Sequence, residues 1–240
     1  MKKVGLECGG KSPFVVSEKC KDLNRAAKVL AENIFYNQGQ ICSAPSRLII
    51  DSSIKEEFLN ILKKEGKKYV PGNPFDIENE VGAVVSKKQK EKIEDYLSLG
   101  MESAKTVIKC GEKSEFITDG PFFLPTIFDG VNPNSTIAQE EIFGPVLTVL
   151  KVDSIKEAID VANSSKYGLA ASIWTGDIDE AYHVSRALEA GIVHINSYGE
   201  DDNTVPFGGV KESGLGKDKS IYAFDEYTNT KTTWLHSESL

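Results

Sequence analysis

Short apolar runs alternate with stretches of helical period along this chain, and that alternation constrains the fold more than any other feature. Phe14-Val15-Val16 reads as a short buried strand. From Lys21 to Asn37 the apolar residues Leu23, Ala26, Ala27, Leu30, Ile34 and Phe35 fall at helical spacing. Asp22 sits where an acid suits the positive end of a helix dipole. Arg47–Asp51 predicts the next strand, and Asp51-Ser52-Ser53 can cap the helix carrying Phe58, Leu59, Ile61 and Leu62. Thr106–Lys109, Val146–Val152 and Gly191–Asn196 read as further strands. Lys87 to Leu99, Ser154 to Asn163 and Ile178 to Leu188 read as helices, the first with a lysine and glutamate run that predicts a solvated face. Strands separated by helices imply an α/β fold, a parallel sheet covered by helices on both faces.

The chain has 240 residues, 40% of them hydrophobic, which is long enough for one large α/β domain with a sizeable core. A net charge of −8 argues against a nucleic-acid surface. No apolar run reaches the length of a membrane span, and Glu7 interrupts the N-terminus before a signal-peptide core could form. Cys8, Cys20, Cys42 and Cys110 show neither a Cys-x-x-Cys pair nor a histidine at zinc-ligand spacing, so no metal site is expected. Reduced thiols in a cytoplasm fit best. His183, His194 and His236 are scattered and are read as structural.

The stretch Phe35 to Ala44 carries the chemistry. A helix runs into it, Gly39 ends the helix, Cys42 follows and a strand leaves. A thiol just past the end of a packed helix is held rigidly yet stays reachable, as a nucleophile requires. A lone cysteine is ordinarily a core thiol, so the surroundings decide. Phe35-x-Asn37-x-Gly39-Gln40-x-Cys42-x-Ala44 resembles the active-site cysteine signature of the aldehyde dehydrogenase superfamily. Leu6-Glu7-Cys8-Gly9-Gly10-Lys11-Ser12-Pro13 resembles the motif carrying that family's general base. Glu140-Glu141-Ile142-Phe143-Gly144-Pro145 and Pro206-Phe207-Gly208-Gly209, with Lys211 and Ser213-Gly214, match further blocks in the same order. Pro121–Phe128 and Tyr167–Trp174 also resemble strand-forming segments of the family. Phe14 stands where many relatives have asparagine, and Lys217-Asp218 replaces the common Arg-Glu.

The resemblance implies a site. Cys42 would attack an aldehyde, Glu7 would activate water against the resulting thioester, and Asn37 would help organise the cysteine. Glu7 points to hydrolysis rather than transfer to coenzyme A. Glu141 and Phe143 would hold the nicotinamide ribose of NAD or NADP, with Gly9 beside them; Lys11 has a supporting role. Glu200, Asp201, Asp202 and Phe207 occupy the place of the substrate-anchoring loop. The three acids either form a solvated turn or make a tunnel mouth that attracts a cationic amine. Thr204-Val205-Pro206-Phe207-Gly208-Gly209 and Asp218-Lys219-Ser220, with the cysteine block, are most similar to the γ-glutamyl-γ-aminobutyraldehyde dehydrogenases of putrescine breakdown.

The resemblance also sets the expected organisation. Residues 1–226 correspond to the family's catalytic domain, and no Gly-x-Gly-x-x-Gly opens a βαβ unit, so the coenzyme-binding half is expected to be absent. Residues 227–240 are expected to be an oligomerisation strand and tail, with Tyr227–Trp234 an edge strand. A homo-oligomer, or a partner supplying the coenzyme domain, is expected to cover the exposed apolar face. Two other readings stay open: a non-catalytic assembly module, and a residual cofactor-independent esterase using Cys42 and Glu7.

Overall fold

The computed structural model describes residues 2–77, 79, 81–111, 120–200 and 202–239. Among them the alternation seen in the sequence becomes one seven-stranded sheet and two small two-stranded ladders. The strands are β1 (Leu6–Glu7), β2 (Pro13–Val16), β3 (Arg47–Asp51), β4 (Thr106–Lys109), β5 (Thr126–Asp129), β6 (Val146–Val152), β7 (Tyr167–Gly168), β8 (Ala170–Trp174), β9 (Ile192–Ile195), β10 (Val210–Lys211) and β11 (Gly214–Leu215). The large sheet runs β4-β5-β6-β3-β2-β8-β9. All its pairings are parallel except β4 with β5. The parallel expectation therefore fails at that edge. No described helix lies between β4 and β5, and a parallel pair needs a long crossover, usually a helix, where an antiparallel pair does not.

The helices are α1 (Leu23–Phe35), α2 (Lys55–Gly66), α3 (Lys87–Ser103), α4 (Thr136–Gln139), α5 (Ile155–Asn163), α6 (Ile178–Ala187) and α7 (Phe224–Tyr227). Because side chains alternate along a strand, β2 sends Phe14 and Val16 to one face and Val15 to the other. On the first face these pack with Leu30 and Ile34 of α1 and Phe58 and Leu62 of α2. On the second, Val15, Ile49 and Ile173 pack with Ile93 of α3, Ala158 of α5 and Val184 of α6. Both faces are covered, as expected for a sheet with apolar residues in both directions.

Local signals hold with two adjustments. Asp22 accepts the Arg25 amide at 2.9 Å and caps α1. Asp51 instead folds the turn before α2, accepting Ser53 N–H at 2.9 Å, and the helix begins after Ile54 without a side-chain cap. Tyr227–Trp234 forms no strand: Tyr227 closes α7, and residues 228–236 carry no ladder. An edge strand is defined by a neighbour that accepts its hydrogen bonds, and none of the described residues supplies one. Among the described residues no helix is long and apolar enough to cross a membrane.

Candidate active site

The motif residues converge on the N-terminal rim of the parallel strands. Gly9 and Gly10 precede β2, Cys42 precedes β3, and Glu141 and Phe143 precede β6. What brings them together is backbone contact at glycine. A Cβ at Gly10 would overlap the Cys42 carbonyl oxygen. One at Gly9 would lie 2.6 Å from Glu141 Oε2, while Gly10 N–H donates to Glu141 Oε1 at 3.0 Å. The rim therefore closes only where no side chain intervenes.

The cysteine turn is locked from several sides. After α1 the chain goes left-handed at Asn37 (φ 48°), Gln38 (φ 57°) and Gly39 (φ 68°). At Gly39 a Cβ would overlap the Gly144 carbonyl, so the cysteine turn rests on the Phe143-Gly144 turn. Asn37 Nδ2 donates to the Gln40 carbonyl at 3.1 Å, which makes Asn37 a closure of this turn. Tyr198 Oη donates to the Ser43 carbonyl at 2.6 Å and is itself buried.

Cys42 is half-buried. Burial raises its pKa above the usual 9.0, and the carboxylates of Glu7 and Glu141 add to the rise. Backbone hydrogen bonds from Ser43 and from Cys42 itself act in the opposite direction, favouring the thiolate. Glu7 reaches the rim through the β1–β11 ladder, where it pairs with Gly214. Its own pKa is raised, first by desolvation and then by Asp218, against an opposing Lys217. Lys217 Nζ donates to the Gly208 and Gly209 carbonyls, and this block lies beside the glutamate, a Cβ at Gly208 falling 2.9 Å from Glu7 Oε1. A half-buried thiol beside a carboxylate of raised pKa can support nucleophilic attack followed by general-base hydrolysis.

The remaining predicted residues fall in two places. Phe143 sits at φ 60°, a costly value for an aromatic residue, and Gln89 Nε2 holds that turn by donating to the Ile142 and Phe143 carbonyls at 3.0 and 2.8 Å. Glu200, Asp202 and Phe207 line a separate cleft of about 440 Å³ with His194 and Val205, while Asp201 lies outside the described residues. Asp202 is committed to its own turn, accepting Thr204 N–H at 2.7 Å and its hydroxyl at 2.8 Å, which hold its pKa down. Phe207 is bridged by backbone to Asp218 and carries Lys219 over its ring at 5.3 Å.

Beneath the rim two cations were not anticipated as a pair. Arg47 is buried and donates to the carbonyls of Lys11 (2.8 Å), Val161 (3.0 Å) and Ala162 (2.7 Å), tying β2, β3 and the end of α5. Lys11 is 1% exposed and its Nζ has no hydrogen-bond partner among the described residues. Burial, with Arg47 nearby, lowers its pKa to about 7, against the opposing pull of Glu141. Gln89, Arg47 and Tyr198 were missed as contributors. A charged residue opening an otherwise apolar strand was a readable signal for Arg47; the helix of Gln89 reads only as a solvated surface.

Comparison with known proteins identifies the family. The aldehyde dehydrogenase family pattern matches residues 1–233. The NADP/NAD-dependent aldehyde dehydrogenase PuuC of Escherichia coli is 41% identical over 239 residues, 100% of this chain and 48% of that protein. An indole-3-acetaldehyde dehydrogenase from P. syringae, solved with NAD+, superposes with a TM-score of 0.92 at 46% identity, covering 97% of this chain and 47% of that one. A γ-glutamyl-γ-aminobutyraldehyde dehydrogenase from Burkholderia cenocepacia gives 0.89 at 44% identity, covering 94% and 45%. The chain belongs to the aldehyde dehydrogenase family. It spans about half the length of the curated relatives it matches.

Proposed function

We propose that this chain is the catalytic half of an NAD(P)-dependent aldehyde dehydrogenase that oxidises an aminoaldehyde to its carboxylic acid. The observation that carries the reading is the half-buried Cys42 thiol on one rim with Glu7 and Glu141. Once deprotonated, Cys42 forms a C–S bond to the aldehyde carbon while the carbonyl electron pair moves to oxygen. The backbone N–H groups already turned toward the sulfur region suit the oxyanion that results. Glu7, whose pKa desolvation and Asp218 raise above the ordinary carboxylate value, takes the proton from the water that releases the acid.

A nicotinamide coenzyme fits the donor set on this rim. Glu141 is fixed by Gly10 through one oxygen, which leaves Oε2 to accept sugar hydroxyls, with Phe143 and Gly9 beside it. The chemistry supplied by a bound NAD or NADP is hydride acceptance. The rest of the coenzyme site is assigned to a partner, or to a polypeptide equivalent to the other half of the relatives. Exposed apolar side chains at Val4, Leu6, Leu215, Ile221, Phe224 and Trp234 support such a covering, by a partner or by a second copy.

The amine preference rests on the loop after β9. Asp202 is spent on Thr204, so Glu200 is the carboxylate better placed to meet a substrate ammonium. The test is calorimetric titration of the 240-residue chain with NAD and NADP, paired with aldehyde turnover, alone and mixed with the separately produced N-terminal half of PuuC. Binding and turnover in the mixture support the reading; an inert mixture in which the two halves demonstrably associate overturns it. Ester hydrolysis by the chain alone, lost in Cys42→Ala, favours the cofactor-independent esterase instead. In an active mixture Glu200→Gln is expected to raise KM for aminoaldehydes and spare neutral aldehydes; equal effects on both remove the amine argument.

A further inference from the structure

The thiol of Cys42 sits in a four-residue turn, and each of the turn's three carbonyls is held separately. Ala44 N–H donates to the Ile41 carbonyl at 3.0 Å, which closes the turn and makes Cys42 and Ser43 its central residues. The Cys42 carbonyl lies against Gly10, where a Cβ would fall 2.3 Å from its oxygen. The Ser43 carbonyl accepts the hydroxyl of Tyr198 at 2.6 Å. Neither Cys42 nor Ser43 has a positive φ, so the turn is not the type II form in which the central peptide is flipped. That orientation matters at the sulfur. The Ser43 N–H belongs to the central peptide and, with the Cys42 N–H, favours the thiolate.

Tyr198 reaches this turn from 155 residues away, on the loop after β9 that also carries Glu200 and Asp202. Its ring is 5.9 Å from that of Phe14 on β2 and 5.0 Å from that of His194 on β9, so the large sheet, more than the loop, holds it in place. The next residue, Gly199, has φ 77°, and a Cβ there would overlap the Asn33 side chain of α1. The backbone beside Tyr198 is therefore pressed onto the helix that leads into the cysteine stretch. Burial raises the phenol's pKa, and Cys42 adds to the rise, so Tyr198 stays a neutral donor while the thiol titrates. The charged groups that act on the sulfur are Glu7 and Glu141. What Tyr198 supplies is direction, through a hydrogen bond from a rigid ring.

We propose that Tyr198 is a positioning residue for the nucleophile: its hydroxyl fixes the Ser43 carbonyl, and thereby the turn that presents the Ser43 N–H to the Cys42 sulfur. This role rests on the reading of Cys42 as the nucleophile, yet its test needs neither aldehyde nor coenzyme. The experiment is alkylation of the 240-residue chain by iodoacetamide as a function of pH, with modification of Cys42 followed by peptide mass spectrometry. Tyr198→Phe keeps the ring and its stacking and removes the donor. Its half-maximal point is expected to lie about half a pH unit above that of the wild type, so that alkylation at pH 8 is about threefold slower. Ile50→Val trims the buried core on β3 at a comparable cost to stability and is expected to leave the profile where it was.

A profile for Tyr198→Phe that coincides with the wild type's, or moves downward, would overturn the proposal, both chains being folded by circular dichroism. An equal upward shift in Ile50→Val would make the effect a consequence of a looser core and overturn it as well. An inert mixture with the N-terminal half of PuuC overturns the dehydrogenase reading but leaves these profiles as they are, so the two fail separately. Should Tyr198→Phe not fold, the unsubstituted chain decides. NMR is expected to show a Tyr198 hydroxyl proton protected from exchange and coupled across the hydrogen bond to the Ser43 carbonyl carbon. A freely exchanging hydroxyl overturns the proposal.

Discussion

The cysteine rim and the acidic loop after β9 are both built from motif residues, yet they are held in different ways. On the rim, Gly9, Gly10 and Gly39 each press against a backbone or a carboxylate with no room for a side chain, and every turn is tied to another segment. In the loop, Asp202 bonds to Thr204 two residues away, and Asp202, Asn203, Thr204 and Val205 are exposed. The rim is a tertiary object, in which one residue type is demanded by a distant neighbour. The loop is largely a local one, satisfied by its own turn. A motif read on the rim therefore specifies geometry, whereas the acids of the loop specify mainly charge.

The largest effect should come from breaking that closure. Gly10→Ala is expected to destabilise the chain by about 3 kcal/mol, because the new methyl meets the Cys42 carbonyl rather than a yielding side chain. Urea midpoints measure it, and a cost near zero would mean that the rim adjusts as freely as the loop. Arg47→Met comes next, at about 2 kcal/mol. It removes the charge together with its desolvation cost but leaves the Lys11, Val161 and Ala162 carbonyls without their donor.

The same contrast explains what could be read from the sequence. The helices and the strands of the large sheet were legible because their apolar residues repeat over many positions, as in α1 and β6. The β1–β11 ladder was not, because two residues on each side show no period, although it places Glu7. Cys42, Glu7 and Glu141 were legible as motif members, and the structure brings them to one rim. The clamp from Gln89 was invisible, since it depends on how α3 packs against the Phe143 turn. The Tyr227–Trp234 segment has strand-like composition, but pairing is a property of two segments and the sequence of one does not contain it.

A pH-dependent effect of comparable size separates the buried floor of the rim from everything at the surface. Lys11 titrates near 7 in the folded chain and at its ordinary 10.5 when unfolded. Between those values the unfolded chain holds a proton that the folded chain lacks, so stability rises with pH by up to about 1.4 kcal/mol per unit. Lys11→Met removes this contribution. Denaturant midpoints taken at pH 7 and pH 9 should climb less in the variant than in the wild type. Identical slopes would place the ammonium in water and remove Lys11 from the floor of the site.

The smallest effect bears most directly on the chemistry. Burial and two carboxylates raise the Cys42 thiol, so its alkylation by iodoacetamide should reach half-maximal rate above pH 9.0 in this chain. Glu7→Gln removes one of those negative charges while keeping the side chain's volume. The half-maximal point should then move downward, by less than the whole shift, because burial and Glu141 remain. Asp202→Asn, in the loop, is the control and should leave the profile where it was, since Asp202 does not contribute to the thiol's environment. The rim is a single electrostatic unit only if the two substitutions differ. If both move the profile equally, long-range charge governs the thiol. If neither does, Glu7 lies too far from the sulfur to act as its partner, and the water-activating role assigned to it loses its geometric support.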